Sequence, residues 1–256
     1  MLFQFNKFHE SAFMGVASEV TGKINKQYNT IEYYFQLKKT NELLVQENQK
    51  LRNLLKTDFL QADTSSTIIV DSIKVDSLEQ FRKYLYFPAK VINNSVASQI
   101  NYLTISRGSA QGIVKDMAVV SSAGVVGTVI HVSKNMATVM SLLHRQTRIS
   151  ASLVKTGETG TVEWDGQNPQ LVTFKNIPKT VQVQKGDTVV TSPYSTFPPG
   201  QQVGIVMGVE KEESSNFYTL KLRPSTNFFN VQFVYAVQNL QKAEQDAIEK
   251  ATNKQE

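Results

Sequence analysis

The 256-residue chain contains no cysteine, three histidines and one tryptophan. The lack of cysteine excludes thiol nucleophiles, thiolate metal ligands and disulfide bonds, and it leaves the redox compartment open. The histidines are His9, His131 and His144, and none of them forms the H-x-x-x-H pair of a zinc-binding helix. We therefore predict neither a metal site nor a cofactor.

The sequence also lacks long hydrophobic runs. No apolar stretch approaches the roughly 20 residues that a membrane-spanning helix needs. The chain opens with the apolar stretch "MLFQF". The sequence leaves open whether this stretch is an ordinary terminus or the end of a longer hydrophobic segment.

The net charge of +5 is unevenly distributed along the chain. Residues 58–81 contain five acidic side chains and one basic one, Lys74, whereas residues 82–157 contain nine Lys or Arg and one acidic residue, Asp116. Such a basic block is either an ordinary solvated surface or a footprint for an acidic protein face, an anionic polymer or anionic lipid headgroups. Nucleic acid is not predicted as a partner, because no nucleic-acid-binding motif accompanies the charge.

Residues 24–57 contain neither glycine nor proline and predict a long helix. Leucines and asparagines recur every seven residues, as in a parallel two-stranded coiled coil whose buried Asn pairs fix register. Glu47 and Arg52 take the positions of an interchain ion pair. The alternative is a helix that packs its leucines on its own domain. The predicted dimerisation residues are Leu37, Asn41, Leu44, Asn48, Leu51 and Leu55.

The remainder of the chain reads as an all-β protein, in which short β-branched runs end at Gly, Asn, Ser or Lys turns. We predict a mainly β fold in which an N-terminal coiled-coil helix precedes two small β-barrel subdomains, in a chymotrypsin-like arrangement without catalytic residues. The predicted segments are a linker and peripheral strand (58–83), a first barrel completed by later strands (84–150), a second barrel with closing strands (151–239) and a polar helical tail (240–256).

Glycine and proline mark the turns of this β region. Gly124 is placed for a tight hairpin turn, and Gly127 for a bulge or a close strand crossing. In "KGDTVV", Gly186 and Asp187 supply a turn into a strand. In "TFPPG", the prolines stiffen the loop, so Phe197 either fills its own core or occupies a partner's groove.

A chymotrypsin-like hydrolase is the enzyme alternative, since paired barrels also carry that chemistry. His131 or His144, followed by Asp165 and one of many serines, has the required order, but order alone is weak support. No G-x-S-x-G or G-D-S-G motif occurs. We predict no catalytic residues, and keep a hydrolase or a periplasmic adaptor built on the same barrels as alternatives.

Four motifs occur in a fixed order: "G-I-x-x-x-M-x-V", "G-V-V-G-x-V", "G-D-T-V-V-T-S" and "F-P-P-G-x-x-V-G". With the preceding heptads they make the chain, from about residue 25 to 237, resemble the rod shape-determining protein MreC family of bacteria. The resemblance implies a set of motif residues that build the scaffold: Gly124, Gly127, Gly186, Asp187, Phe197, Pro198, Gly200 and Gly204.

The resemblance implies a non-enzymatic scaffold that organises peptidoglycan synthases during cell elongation and maintains rod shape. It implies a single-pass protein of the cytoplasmic membrane, with this chain on the outer (periplasmic or extracytoplasmic) face and residues 1–23 as the remnant of a membrane-proximal segment. The implied partners are a second copy, in a dimer or filament, the elongation class B penicillin-binding transpeptidase, the SEDS glycosyltransferase, MreD and, indirectly, MreB. Where the family more often has glycine, this chain has Pro193, Tyr194 and Ser195, which make the loop stiffer and aromatic.

Overall fold

A computed structural model describes residues 37–54, 59–60, 81–211 and 215–252 of the chain. Helix α1 covers residues 37–52, a stretch of good helix formers without Gly or Pro. Two short antiparallel strands follow, β1 (Phe59–Leu60) and β2 (Phe81–Arg82). Leu55 and the predicted segment 1–23 lie outside the described residues.

The first barrel begins directly after β2. Its first five strands are β3 (Tyr84–Asn94), β4 (Ile100–Ile105), β5 (Ala118–Val120), β6 (Val125–Val132) and β7 (Ala137–His144). A 3-10 turn, Ser109–Gln111, connects β4 to β5.

The second barrel follows without a long linker. Its six strands are β8 (Arg148–Leu153), β9 (Thr159–Glu163), β10 (Val172–Pro178), β11 (Thr188–Thr191), β12 (Gln202–Lys211) and β13 (Phe217–Pro224). The chain then returns to the first barrel with β14 (Phe233–Asn239) and ends in helix α2 (Lys242–Thr252).

Both barrels are closed and antiparallel. The strand order is β14-β3-β4-β7-β6-β5 in the first barrel and β10-β13-β12-β11-β8-β9 in the second. The predicted fold class is therefore confirmed: the protein is mainly β, with two six-stranded barrels after an N-terminal helix. The strands are not divided between the barrels in strict chain order. Strand β8, which begins at Arg148, is the first strand of the second barrel, whereas β14, the last strand of the chain, belongs to the first barrel.

Alternating side chains fill each barrel, as the two-residue period of a strand requires. In β4, Asn101, Leu103 and Ile105 are buried, whereas Ile100 and Tyr102 point outward. The buried amide of Asn101 is fully bonded: its Nδ2 donates to the carbonyls of Ser98 and Leu143, and its Oδ1 accepts from Ser95 and Ser98. Because the donor and acceptor atoms of this amide all have partners, burying it in the core costs little free energy.

The two barrels meet where the β5–β6 turn packs against the start of β12. The hydroxyls of Ser121 and Thr226 lie 2.9 Å apart, and the Thr226 hydroxyl also donates to the carbonyl of Val125 at 2.9 Å. A Cβ added to Gly124 would lie 2.1 Å from the backbone carbonyl oxygen of Gln202. The barrels approach this closely only because residue 124 has no side chain.

Replacing Gly124 with alanine is expected to destabilise the protein by about 1–3 kcal/mol, because the new methyl group must push one barrel's backbone away from the other. Urea unfolding of the full chain measures this loss. Gly208→Ala is the matched control, since a Cβ there would meet no described atom within 4 Å. The control should stay within about 0.5 kcal/mol of the parent. Equal stability of the two variants would contradict the close approach at Gly124.

Candidate functional site

Helix α1 carries an exposed row of leucines at the heptad spacing. Leu37, Leu44 and Leu51 are 39%, 47% and 63% exposed. Asn41 and Asn48, the asparagines between them, are exposed as well, and the Asn48 amide donates to the carbonyl of Leu44 in its own helix at 2.9 Å. The row thus presents apolar surface that an association would remove from water.

The last turn of α1 is tied to the first barrel by Arg52. The guanidinium group lies 5.0 Å from the ring centre of Tyr235 and 5.7 Å from that of Tyr86, and it donates to the carbonyl of Ser121 at 3.4 Å. Burial raises the pKa of the Tyr235 hydroxyl, and the charge of Arg52 partly offsets this rise. Arg52 thus contacts the first barrel within its own chain, and its interchain pair with Glu47 stays a prediction.

Two amide side chains of the same turn close an open strand edge. Strand β3 pairs with β4 only from Val91 to Asn94, which leaves this edge of β3 without a strand partner in the described chain before Val91. Before that point, the Gln49 amide donates to the Tyr86 carbonyl at 2.9 Å and the Asn53 side-chain oxygen accepts from the Tyr86 N–H at 3.1 Å. Pro88, two residues on, brings no N–H to this edge. The heptad analysis missed this contact, although Gln49 and Asn53 are four residues apart and so share one helix face.

Three of the motif residues, Phe197, Pro198 and Gly200, lie in one loop of the second barrel, between β11 and β12. Phe197 is 1% exposed, so it fills its own core and not a partner's groove. The Thr191 hydroxyl donates to the Pro198 carbonyl at 2.6 Å and accepts from the Gln201 N–H at 2.9 Å. Gly200 closes the loop with a φ of 80° and an N–H bond to the Thr191 carbonyl.

An exposed tyrosine stands at the tip of this loop. Tyr194 is 83% exposed. On one side, the Ser192 hydroxyl lies 2.7 Å from that of Ser150 in β8; on the other, the Ser195 hydroxyl accepts from the Phe197 N–H. The loop therefore holds a large aromatic side chain in solvent on a fixed support.

The remaining motif residues fall in two places. Gly186 and Asp187 form the turn into β11, where the Asp187 carboxylate accepts from the Gln184 N–H at 2.8 Å. Gly204 lies in β12 beside the Arg223 carbonyl, in the same barrel. Gly124 and Gly127 lie in the first barrel, where a Cβ on Gly127 would meet the Met140 carbonyl oxygen at 2.0 Å. The motif thus marks turns and strand crossings in both barrels rather than one site.

The residues of the hydrolase alternative are not arranged as a charge relay. His144 is buried; its Nδ1 accepts from the Gln146 N–H, and its Nε2 lies 3.1 Å from the Tyr102 hydroxyl. Asp165 is exposed in the second barrel and accepts from the Gln167 N–H, while His131 is exposed on β6. A relay requires a carboxylate on the imidazole, and His144 uses both nitrogens elsewhere. Among the described residues, no three His, Asp or Glu side chains gather as metal ligands.

The fold is that of a protein with two closed six-stranded barrels, whose described surface exposes a leucine row and an aromatic loop. The family model for "Rod shape-determining protein MreC, barrel core" matches residues 91–238. The chain therefore belongs to the MreC family.

Curated relatives and a solved structure agree with this assignment. A cell shape-determining protein MreC from Listeria monocytogenes is 27% identical over 164 residues, 62% of this chain and 56% of that protein. One from Haemophilus influenzae is 24% identical over 205 residues, 76% of this chain and 56% of that protein. The solved MreC structure from Listeria monocytogenes superposes with a TM-score of 0.57 at 26% identity, covering 82% of this chain and 92% of that one.

The chain spans about half the length of the curated relatives it matches. None of the helices in the described part of the chain is long and apolar enough to cross a bilayer.

Burial lowers the pKa of His144 below its ordinary value of 6.5. The unfolded chain therefore takes up a proton near pH 6.5 that the folded barrel resists, so the free energy of unfolding should fall as the pH falls below about 6.5. Thermal unfolding followed from about pH 7.5 to about pH 5.5 should show this loss, and His144→Gln should reduce it.

The exposed histidine provides the control for this experiment. His131→Gln should retain the full dependence on pH, because its ring is already in solvent. An unchanged pH dependence in His144→Gln would mean that the folded barrel binds the proton as readily as the unfolded chain.

Proposed function

We propose that this chain is a non-enzymatic scaffold of the cell-elongation machinery, which dimerises and positions peptidoglycan synthases on the outer face of the cytoplasmic membrane. The exposed leucine row of α1 carries the proposal, since it is a surface suited to self-association and not to catalysis. Membership of the MreC family supports the proposal, as do the names of its relatives, which are cell shape-determining proteins.

Burial of the leucine row of α1 would favour self-association. In a parallel pair of helices, Leu37, Leu44 and Leu51 of each copy would leave water, and each would contribute roughly 1 kcal/mol for the part now exposed. Asn41 and Asn48 would face their counterparts and fix the register, because any other alignment buries an amide without a partner. Forming that pair requires the Asn48 amide to reorient from its present bond with Leu44.

The partners proposed from the family are the elongation class B penicillin-binding transpeptidase, the SEDS glycosyltransferase and MreD, with MreB reached indirectly. The loop at Tyr194 is the contact that we assign to the transpeptidase. Exposed tyrosines held on rigid supports are frequent anchors in interfaces, because they bury a large area at a small cost in side-chain entropy. Tyr194 meets both conditions.

Replacing both Leu44 and Leu51 with Asp should make the full chain monomeric, because two charges per helix would face each other across the seam. Light scattering measures the mass, and circular dichroism checks that the barrels remain folded. Lys39→Asp with Gln46→Asp is the control, since it places the same two carboxylates on the opposite helix face. A dimer that survives in the Leu44/Leu51 variant would exclude the coiled coil as its basis.

Binding of the full chain to the ectodomain of the elongation transpeptidase should be saturable at physiological salt. Tyr194→Ala should weaken it about tenfold or more, as expected for removal of an aromatic anchor. Phe229→Ala, which removes another exposed aromatic ring from the β13–β14 connection, should leave the affinity unchanged. Failure of the folded parent chain to bind would contradict the scaffold proposal, and equal effects of the two variants would contradict only the assigned contact.

A further inference from the structure

Three basic residues of the first barrel lie near one end of it. Lys90 lies in β3, Arg107 lies two residues after the end of β4, and Lys134 lies in the turn between β6 and β7. The Lys90 carbonyl accepts from the N–H of Ser106, the residue before Arg107. The Lys134 carbonyl accepts from the N–H of Ala110, three residues after Arg107. These backbone bonds place the three residues on adjoining segments, here called the basic end.

Close packing holds the segments of the basic end in place. A Cβ on Gly108 would lie 2.3 Å from the Ser133 carbonyl oxygen and 2.7 Å from the Asn135 nitrogen. The loop after β4 is thus pressed directly on the β6–β7 turn. The fold therefore holds the backbone positions of Arg107 and Lys134 close together.

The three cations lack carboxylate partners within the described ranges. No ion pair closer than 4.0 Å joins Lys90, Arg107 or Lys134 to an Asp or Glu of the described chain, whereas Arg148 and Lys175 in the second barrel share the carboxylate of Glu163. Arg107 is also half-buried, with its guanidinium 5.9 Å from the Phe87 ring centre. Burial lowers the pKa of Arg107. A partly desolvated cation without a counter-ion gains from an anion that approaches it.

The backbone donors at this end are already used. Gln111 accepts from the Gly108 N–H, and carbonyls of the β6–β7 turn accept from the N–H groups of Ser109 and Ala110. The loop is therefore not a cradle for a single phosphate, which would need free N–H groups. What remains is a set of separate side-chain charges, which suits a ligand with several anionic groups in a row.

The small amount of exposed apolar surface at the basic end indicates which class of partner it suits. Met136 is the large apolar side chain exposed at this turn, at 48%. A protein partner would need an apolar interface core, and a bilayer would need several apolar anchors. Charge without such a core favours a flexible polymer held by counter-ion release.

We infer that the basic end, formed by Lys90, Arg107 and Lys134, binds a linear polyanion, a polymer with closely repeated anionic groups. The contact is electrostatic and depends little on the chemical identity of the polymer's repeating unit. It uses other residues than the leucine row and the Tyr194 loop. It gives the scaffold a second kind of attachment, to an anionic polymer of its surroundings rather than to a protein.

The test uses the full chain and inorganic polyphosphate as the probe, with affinity measured by fluorescence anisotropy over a series of salt concentrations. Lys90→Gln, Arg107→Gln and Lys134→Gln are combined in one variant. Lys155→Gln, Lys185→Gln and Arg223→Gln, at exposed cations of the second barrel, form a control with the same change in net charge. A double variant of the exposed Lys90 and Lys134 replaces the triple variant if the loss of Arg107 disturbs folding.

We expect the basic-end variant to bind about tenfold or more weakly, and the slope of log affinity against log salt to fall by about one unit per cation removed. The control should bind like the parent chain. Equal weakening of both variants would mean that net charge alone attracts the polymer, and no binding by the parent at low salt would mean that the site does not exist; either result overturns the inference. Binding to vesicles containing phosphatidylglycerol, without binding to polyphosphate, would also overturn it in favour of a membrane surface.

Discussion

The closure of the first barrel by its last strand is the constraint on which the rest of the structure depends. Strand β14 pairs with β3 along its whole length, from Phe233 opposite Lys90 to Asn239 opposite Tyr84, and with β5 on its other side. The entire second barrel lies between β7 and β14 in the chain. The first barrel therefore cannot close until the chain has passed through the second, and the sequence separation of these contacts predicts slow folding of both as one unit.

The attachment of helix α1 depends on the same closure. Arg52 lies over Tyr86 of β3 and Tyr235 of β14, which become neighbours only when the two strands pair. Its contact with the Ser121 carbonyl draws in the end of β5 as well. A cation held between two tyrosine rings stabilises a partly desolvated contact by about 1–2 kcal/mol. The end of the helix is thus fixed by the strand that completes the barrel.

The sequence predicted local features well and long-range ones poorly. Heptad spacing placed Leu37, Leu44 and Leu51 in one exposed row, and strand periods with glycine turns gave the two-barrel fold, because both patterns arise from the geometry of a single element. The contact of Arg52 with two tyrosines was not predicted, because nothing in its neighbourhood reveals residues that are 34 and 183 positions away in the chain. The sequence predicted that later strands complete the first barrel but not which strand does so, since pairing partners are chosen by the whole fold.

Closed barrels also limit how copies of this protein can associate through their strand edges. A barrel leaves few unpaired strand edges, so it offers little template for uncontrolled β-pairing between copies. At β3, where the ladder to β4 stops at Lys90, the edge is covered by the amides of Gln49 and Asn53 and interrupted by Pro88. With backbone groups engaged there, the associations proposed above would use side chains of the helix, the Tyr194 loop and the basic end. The side chains of these surfaces can be replaced without removing a backbone hydrogen bond of the strand ladders, so each proposed contact can be changed independently of the others.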